Sequence, residues 1–276
     1  MTRRIKTILV SLNKAQFFDS NMAMAAQIAQ EYDSHIIGLY VIPSAIVYTA
    51  PYGYGGPINY TEMNRYYRSK ANGVEDDFND YVRKHKLNAE WRLVNSLGTF
   101  IGDTVIEHAR ESDLVILGND NSIQDSVEFE GRIVTETGRP VLIVPNTTRN
   151  DFRFKRSVIG WDGSREAARA AFDAIPLLRM SKVTEVTSFN AHKERELTGT
   201  SPGSELINVL SRHGVNAEVV AEKTKKSVSQ ALIDRAETGD LLVIGAFGHS
   251  RLTETVLGGV TRKTLKQMPC PVLMSN

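Results

Sequence analysis

The sequence predicts two tandem, doubly wound parallel-sheet α/β domains, and three observations point there. "VIEHARESDLVILG" (Val105–Gly118) returns as "LIDRAETGDLLVIG" (Leu232–Gly245), and "RPVLIVP" (Arg139–Pro145) returns, four positions out of step, as "CPVLMSN" (Cys270–Asn276). Within each copy, short β-branched runs alternate with longer helix-patterned stretches, the arrangement that builds a parallel sheet with helices on both faces. A polar, basic join, "NTTRNDFRFKR" (Asn146–Arg156), separates the copies. One unit written twice at this length gives two domains, 1–148 and 152–276.

The elements follow in order. "ILVSLN" (Ile8–Asn13) opens the first copy as a strand and is matched by "SVIGWD" (Ser157–Asp162) in the second. The symmetry then breaks. The first copy carries about twenty extra residues, within "IPSAIVYTAPYGYGGPINYTEMNRYYRSK" (Ile42–Lys70). Seven of the chain's nine tyrosines fall between Tyr40 and Tyr67. This insertion reads as a long surface loop whose tyrosines pack on the domain, or as a lid or docking surface. Val105–Gly118 ends a helix, turns at an acidic residue and enters a strand, and "VLIVP" closes the copy.

In the second copy "SREAARAAFDAIPLL" follows the opening strand as a helix, with Ser164 as its cap and alanines favouring it. "VTEVTSFN", "AEVVAEK", "DLLVIG" and "PVLM" are strands, with "GSELINVLSRHG", "SVSQALIDRAETG" and a final helix over "VTRKTLKQM" between them. Right-handed crossovers wind such units into one sheet. The closing strands "VLIVP" and "VLMSN" are expected to pair edge to edge, making an internal pseudo-dimer and covering edges otherwise exposed.

Composition excludes several classes. Thirty-three basic against thirty-two acidic residues leave a net charge of +1, without the basic stripe of a nucleic-acid binder. The apolar run in "MTRRIKTILVSLN" is too short for a signal peptide or a membrane span. With one cysteine, Cys270, no internal disulfide can form, and a cytoplasmic protein without membrane or nucleic-acid partners is expected. The six histidines (His35, His85, His108, His192, His213, His249) show no metal-ligand spacing, so no metal site is expected. No Ser–His–Asp set or positioned general base can be assembled, so no catalytic residue is assigned and any ATP hydrolysis would be slow and incidental.

The chemistry concentrates in "GAFGHSRLTETVLGGVT" (Gly245–Thr261). "DLLVIG" delivers the chain to the carboxyl edge of the sheet, where open α/β folds bind ligands. Gly245 and Gly248 permit close backbone approach, and Gly258–Gly259 opens a helix whose first N–H groups and dipole favour an anion. Thr261 offers a hydroxyl, and His249, Arg251 and Arg262 lie near enough in sequence to meet a phosphate or to be exposed side chains. Spacing alone reads equally as a phosphate cradle and as the bend between a strand and a helix. It is neither a P-loop nor a dinucleotide fingerprint.

The stretch resembles the nucleotide-binding signature of the universal stress protein family, G-x2-G-x9-G-[ST]. "SVIGWDGS" is similar to that family's opening strand and loop, and "MPCPVLM" to its closing strand. The resemblance covers nearly the whole chain twice, as in tandem members, and implies a Rossmann-like, adenine-nucleotide alpha-hydrolase-like fold. It also implies that Asp162 sits by an adenine, that Phe189 lines its pocket, and that Gly245, Gly248, Gly258, the Val260 backbone and Thr261 surround the phosphates. The family's hydroxyl after the third glycine is Gly259 here, which keeps an N–H donor but removes one contact.

The first copy, "GNDNSIQDSVEFEGRIV", keeps Gly118 and Gly131 but has Asn121 for Gly248, Arg132 for Gly259 and Asn13 for Asp162. Its Glu128 and Glu130 would repel a polyphosphate unless a metal intervened. The first domain is therefore expected to be degenerate, kept for pairing or another ligand. The expected function is regulatory binding of ATP, with or without Mg²⁺, or of a related adenine nucleotide in the second domain. A nucleotide-free scaffold and a small-molecule carrier using the insertion are the alternatives. Whether the whole chain forms a homodimer is left open.

Overall fold

The structure, a computed structural model, describes residues 4–43, 60–96, 100–119, 124–146, 154–190, 201–237, 240–246 and 259–276. The first half contains β1 (Thr7–Ser11), α1 (Phe18–Tyr32), β2 (His35–Ile42), α2 (Tyr60–His85) and β3 (Ala89–Asn95). It continues with α3 (Ile101–Ala109), β4 (Leu114–Asn119), α4 (Gln124–Glu136) and β5 (Val141–Pro145). The second half contains β6 (Ser157–Gly160), α5 (Arg165–Asp173), α6 (Ile175–Leu178), β7 (Thr184–Phe189) and α7 (Ser204–Arg212). It ends with β8 (Ala217–Glu222), α8 (Val228–Arg235), β9 (Leu241–Gly245), α9 (Gly259–Lys266) and β10 (Val272–Ser275).

The two halves share one ten-stranded sheet, in the order β3-β2-β1-β4-β5-β10-β9-β6-β7-β8. The order reads as the same unit from either end. Pairings within each half are parallel, whereas β5 and β10 pair antiparallel, with Val272 opposite Ile143 and Met274 opposite Val141. Each half reverses its strand order once, between β1 and β4 and between β6 and β9, and ligands bind in such folds beyond the carboxyl ends of strands at that reversal.

Both faces of the sheet carry a core that crosses from one half to the other. On one face Met22 and Ile28 of α1, Phe78 of α2, Leu177 of α6 and Leu206 of α7 join one apolar cluster. On the other, Val105 of α3, Ile133 of α4, Leu232 of α8 and Leu265 of α9 join a second. The near-continuous apolar strands, such as "LLVI" in β9, follow from burial on both sides. Across the seam the Tyr32 hydroxyl donates to the Pro176 carbonyl at 2.6 Å. Among the described residues, no helix is long and apolar enough to cross a membrane.

Two expectations need correction. Tyr60–Lys70, read as part of a loop, forms the opening turns of α2. Tyr67, Ala71, Val74, Phe78 and Tyr81 recur at helical spacing and pack on the core, which a local loop composition conceals. Of the insertion's tyrosines, Tyr67 packs inward and Tyr66 is exposed, while the part at 44–59 lies outside the described residues. The single helix expected over "SREAARAAFDAIPLL" is also two, α5 and α6, divided at Ala174 just before Pro176, which has no N–H to continue the ladder.

Candidate functional site

In the second half the strand-order reversal brings together the ends of β6 and β9 and the start of α5. The Trp161 N–H still donates to the Thr187 carbonyl at 2.8 Å, so the chain stays with β7 for one residue past β6. Asp162 then turns it. Its Oδ1 accepts from the Ser164 N–H at 2.9 Å and the Ser164 hydroxyl at 2.6 Å, while Gly163 takes φ 74°. Short acidic side chains stabilise turns in this way, and glycine adopts the left-handed conformation at least cost. Ser164 caps α5 as expected, its Oγ accepting from the Ala167 N–H at 3.2 Å.

Gly245 ends β9 against the first turn of α5. A Cβ there would lie 2.4 Å from the Glu166 carbonyl carbon and 2.5 Å from the Ala167 nitrogen. Gly118 answers the same need in the first half, where a Cβ would meet that of Phe17 at 2.3 Å. The first motif glycine is therefore fixed in both halves by close helix–strand packing, whatever a ligand also requires of it.

Gly259 differs. It begins α9, is exposed, and has open space where a Cβ would stand. Val260 is half-buried against the core, and Thr261 is buried in the first turn, so its side chain is packed inside rather than displayed to solvent. Arg262 is exposed. Phe189, the last residue of β7, is half-buried against the core that also holds Leu232 and Leu265. Gly248, His249, Arg251 and Gly258 lie outside the described residues. Asp162, Gly245 and Gly259 thus belong to the carboxyl edge, while Phe189 and Thr261 face the packing beneath it.

In the first half, side chains of the chain itself occupy the matching ground. The Asn13 amide donates to the Val41 carbonyl at 2.6 Å and accepts from the Val41 N–H at 3.0 Å, tying β1 to the end of β2. Next to it, the Lys14 ammonium lies 3.0 Å from Glu130 Oε1 of α4, whose side chain is wholly buried, and 5.5 Å from the centre of the Phe129 ring. Glu128 is exposed. Arg132 pairs with Asp103 at 2.7 Å and Glu136 at 3.0 Å, hydrogen bonds that raise its pKa above the ordinary arginine value. The Lys14–Glu130 pair was not legible in the sequence, since its members stand 116 positions apart.

Cys270 is buried just before β10, and burial, reinforced by the nearby Asp240 carboxylate, pushes its thiol up to about 12. The thiol is neutral at any pH well below that value, and the thiolate is the reactive form. Native protein at pH 8 should therefore not react with a disulfide reagent, and one thiol per chain should titrate on unfolding. Rapid labelling of the native chain would contradict this burial. Among the described residues, no group of three or more His, Cys, Asp or Glu side chains could hold a metal ion.

Residues 153–276 match the model of the universal stress protein family. No curated protein shows a significant sequence match. The fold is similar to that of a universal stress protein from Archaeoglobus fulgidus, with TM-score 0.72 and 13% identity over 99% of this chain and 97% of that one. It is also similar to a functionally unknown protein from Pseudomonas aeruginosa, with TM-score 0.65 and 13% identity over 98% of this chain and 92% of that one. At such identity the two likenesses concern the fold.

Proposed function

We propose that the C-terminal half of the chain, which matches the universal stress protein family over residues 153–276, binds ATP or a related adenine nucleotide in the cytoplasm and acts by binding rather than by turnover. The observation that carries this reading is the opening of α9 at Gly259, on the crossover that leaves the carboxyl end of β9, exposed and with nothing within 4 Å of where a Cβ would stand. The first N–H groups of a helix lack intrahelical partners and carry positive partial charge, which suits a phosphate. Asp162 stands on the same edge for the base, held in its turn by Ser164. In the N-terminal half Asn13 and the Lys14–Glu130 pair take up the corresponding ground, so one nucleotide per chain is expected. The antiparallel β5–β10 pairing supports reading the two halves as an internal pseudo-dimer.

Calorimetric titration with ATP, with and without Mg²⁺, tests this reading beside Gly259→Glu. The added side chain enters open space, and a carboxylate suits a helix start, so folding should be unharmed. The same carboxylate repels a phosphate, so affinity should fall about tenfold or more. Binding near one site per chain that weakens in the variant supports the proposal. A folded wild-type chain that takes up no nucleotide overturns it and leaves a scaffold of the same fold.

A further inference from the structure

The helices preceding the closing strands, α4 and α9, lie against each other because β5 and β10 pair across the seam. Asn119, the last residue of β4, is buried there. Its Nδ2 donates to the Leu265 carbonyl at 2.5 Å and lies 3.1 Å from the Met268 sulfur. Leu265 belongs to the last turn of α9, and the final carbonyls of a helix have no partner within it. A side chain of the N-terminal half therefore satisfies the C-terminal end of the helix whose other end begins at Gly259. Leu265 and Met268 also share a core with Val127, Ile133 and Val134 of α4. At the matching position of the second half stands Ala246, which has no such side chain.

We propose that Asn119 is a positioning residue that holds the end of α9 on the other half, so that the N-terminus of α9 is coupled to α4, on which the helix packs. A helix of two turns moves as a rod, so an anion settling on its first turn draws the Leu265 carbonyl and the α4 contact with it. The inference rests on the nucleotide reading above. Coupling of this kind is reciprocal: if nucleotide orders α4, the α4 contact strengthens nucleotide binding by the same factor.

The test is hydrogen exchange of the amides of α4, with and without ATP–Mg²⁺, in wild type and Asn119→Ala, with calorimetry on the same samples. Alanine is chosen because Ala246 already fills the equivalent place, and Asn119→Ser, too short to reach Leu265, serves if the alanine variant does not fold. In wild type nucleotide should slow exchange in α4 severalfold. In the variant that ligand-dependent change should shrink severalfold while binding persists about fivefold weaker or more. Comparing each protein with and without nucleotide removes any general loosening by the substitution. Nucleotide bound without slowed exchange in wild-type α4, or the same slowing in the variant, overturns the coupling and leaves the nucleotide reading standing. No heat of binding in wild type overturns both.

Discussion

Gly245→Ala should lower the free energy of unfolding by about 3 kcal/mol, the upper range for forcing an atom into filled space. The obstacle is backbone: the new methyl group would stand 2.4 Å from the Glu166 carbonyl carbon and 2.5 Å from the Ala167 nitrogen. A side chain could rotate away, but here α5 must lift from β9. Gly259→Ala is the control on the same motif. Its Cβ meets open space in a helical conformation, so stability should change by less than about 1 kcal/mol, and upward, through lost freedom of the unfolded chain. Denaturant midpoints of the two variants check the pair. Equal, small effects would mean that the end of β9 is not pressed on α5.

Lys14→Met should cost about 3 kcal/mol, at the low end for breaking a buried ion pair because a third of the lysine side chain remains in water. The cost comes from Glu130, whose carboxylate has no exposure and would lose its cation. Adding Glu130→Gln should therefore recover most of the loss, since the buried charge goes with it. A double-mutant cycle by denaturant unfolding reads the coupling directly. Additive losses in the double variant would show that the two charges do not depend on each other.

The repeat made the architecture legible, because internal similarity gives the same alternation of strands and helices twice and marks the two closing strands as candidates to pair at the seam. Ser164 was legible as a cap for a local reason: its hydroxyl serves an N–H three residues on. Gly245 was legible as a special position but not as a packing one. A glycine in sequence reveals that a Cβ is absent, and only the fold shows that helix α5 fills the space. The start of α2 was hidden by the glycine, proline and tyrosine content just before it, although the helix is decided by Tyr67, Ala71, Val74 and Phe78 packing further on. The partners of Asn13, Lys14 and Asn119 were hidden, since the sheet brings them in from 28, 116 and 146 positions away.

The seam between β5 and β10 has a further consequence. Two separate copies of such a unit would meet only above some concentration, and every substitution would appear on both sides of their contact. Here the contact is intramolecular, so dilution does not undo it. Each half is also free to change alone. One can give up its crevice to Asn13, Lys14 and Glu130 while still lending Asn119 to its neighbour. Covalent joining lets the two halves of a symmetric pair diverge.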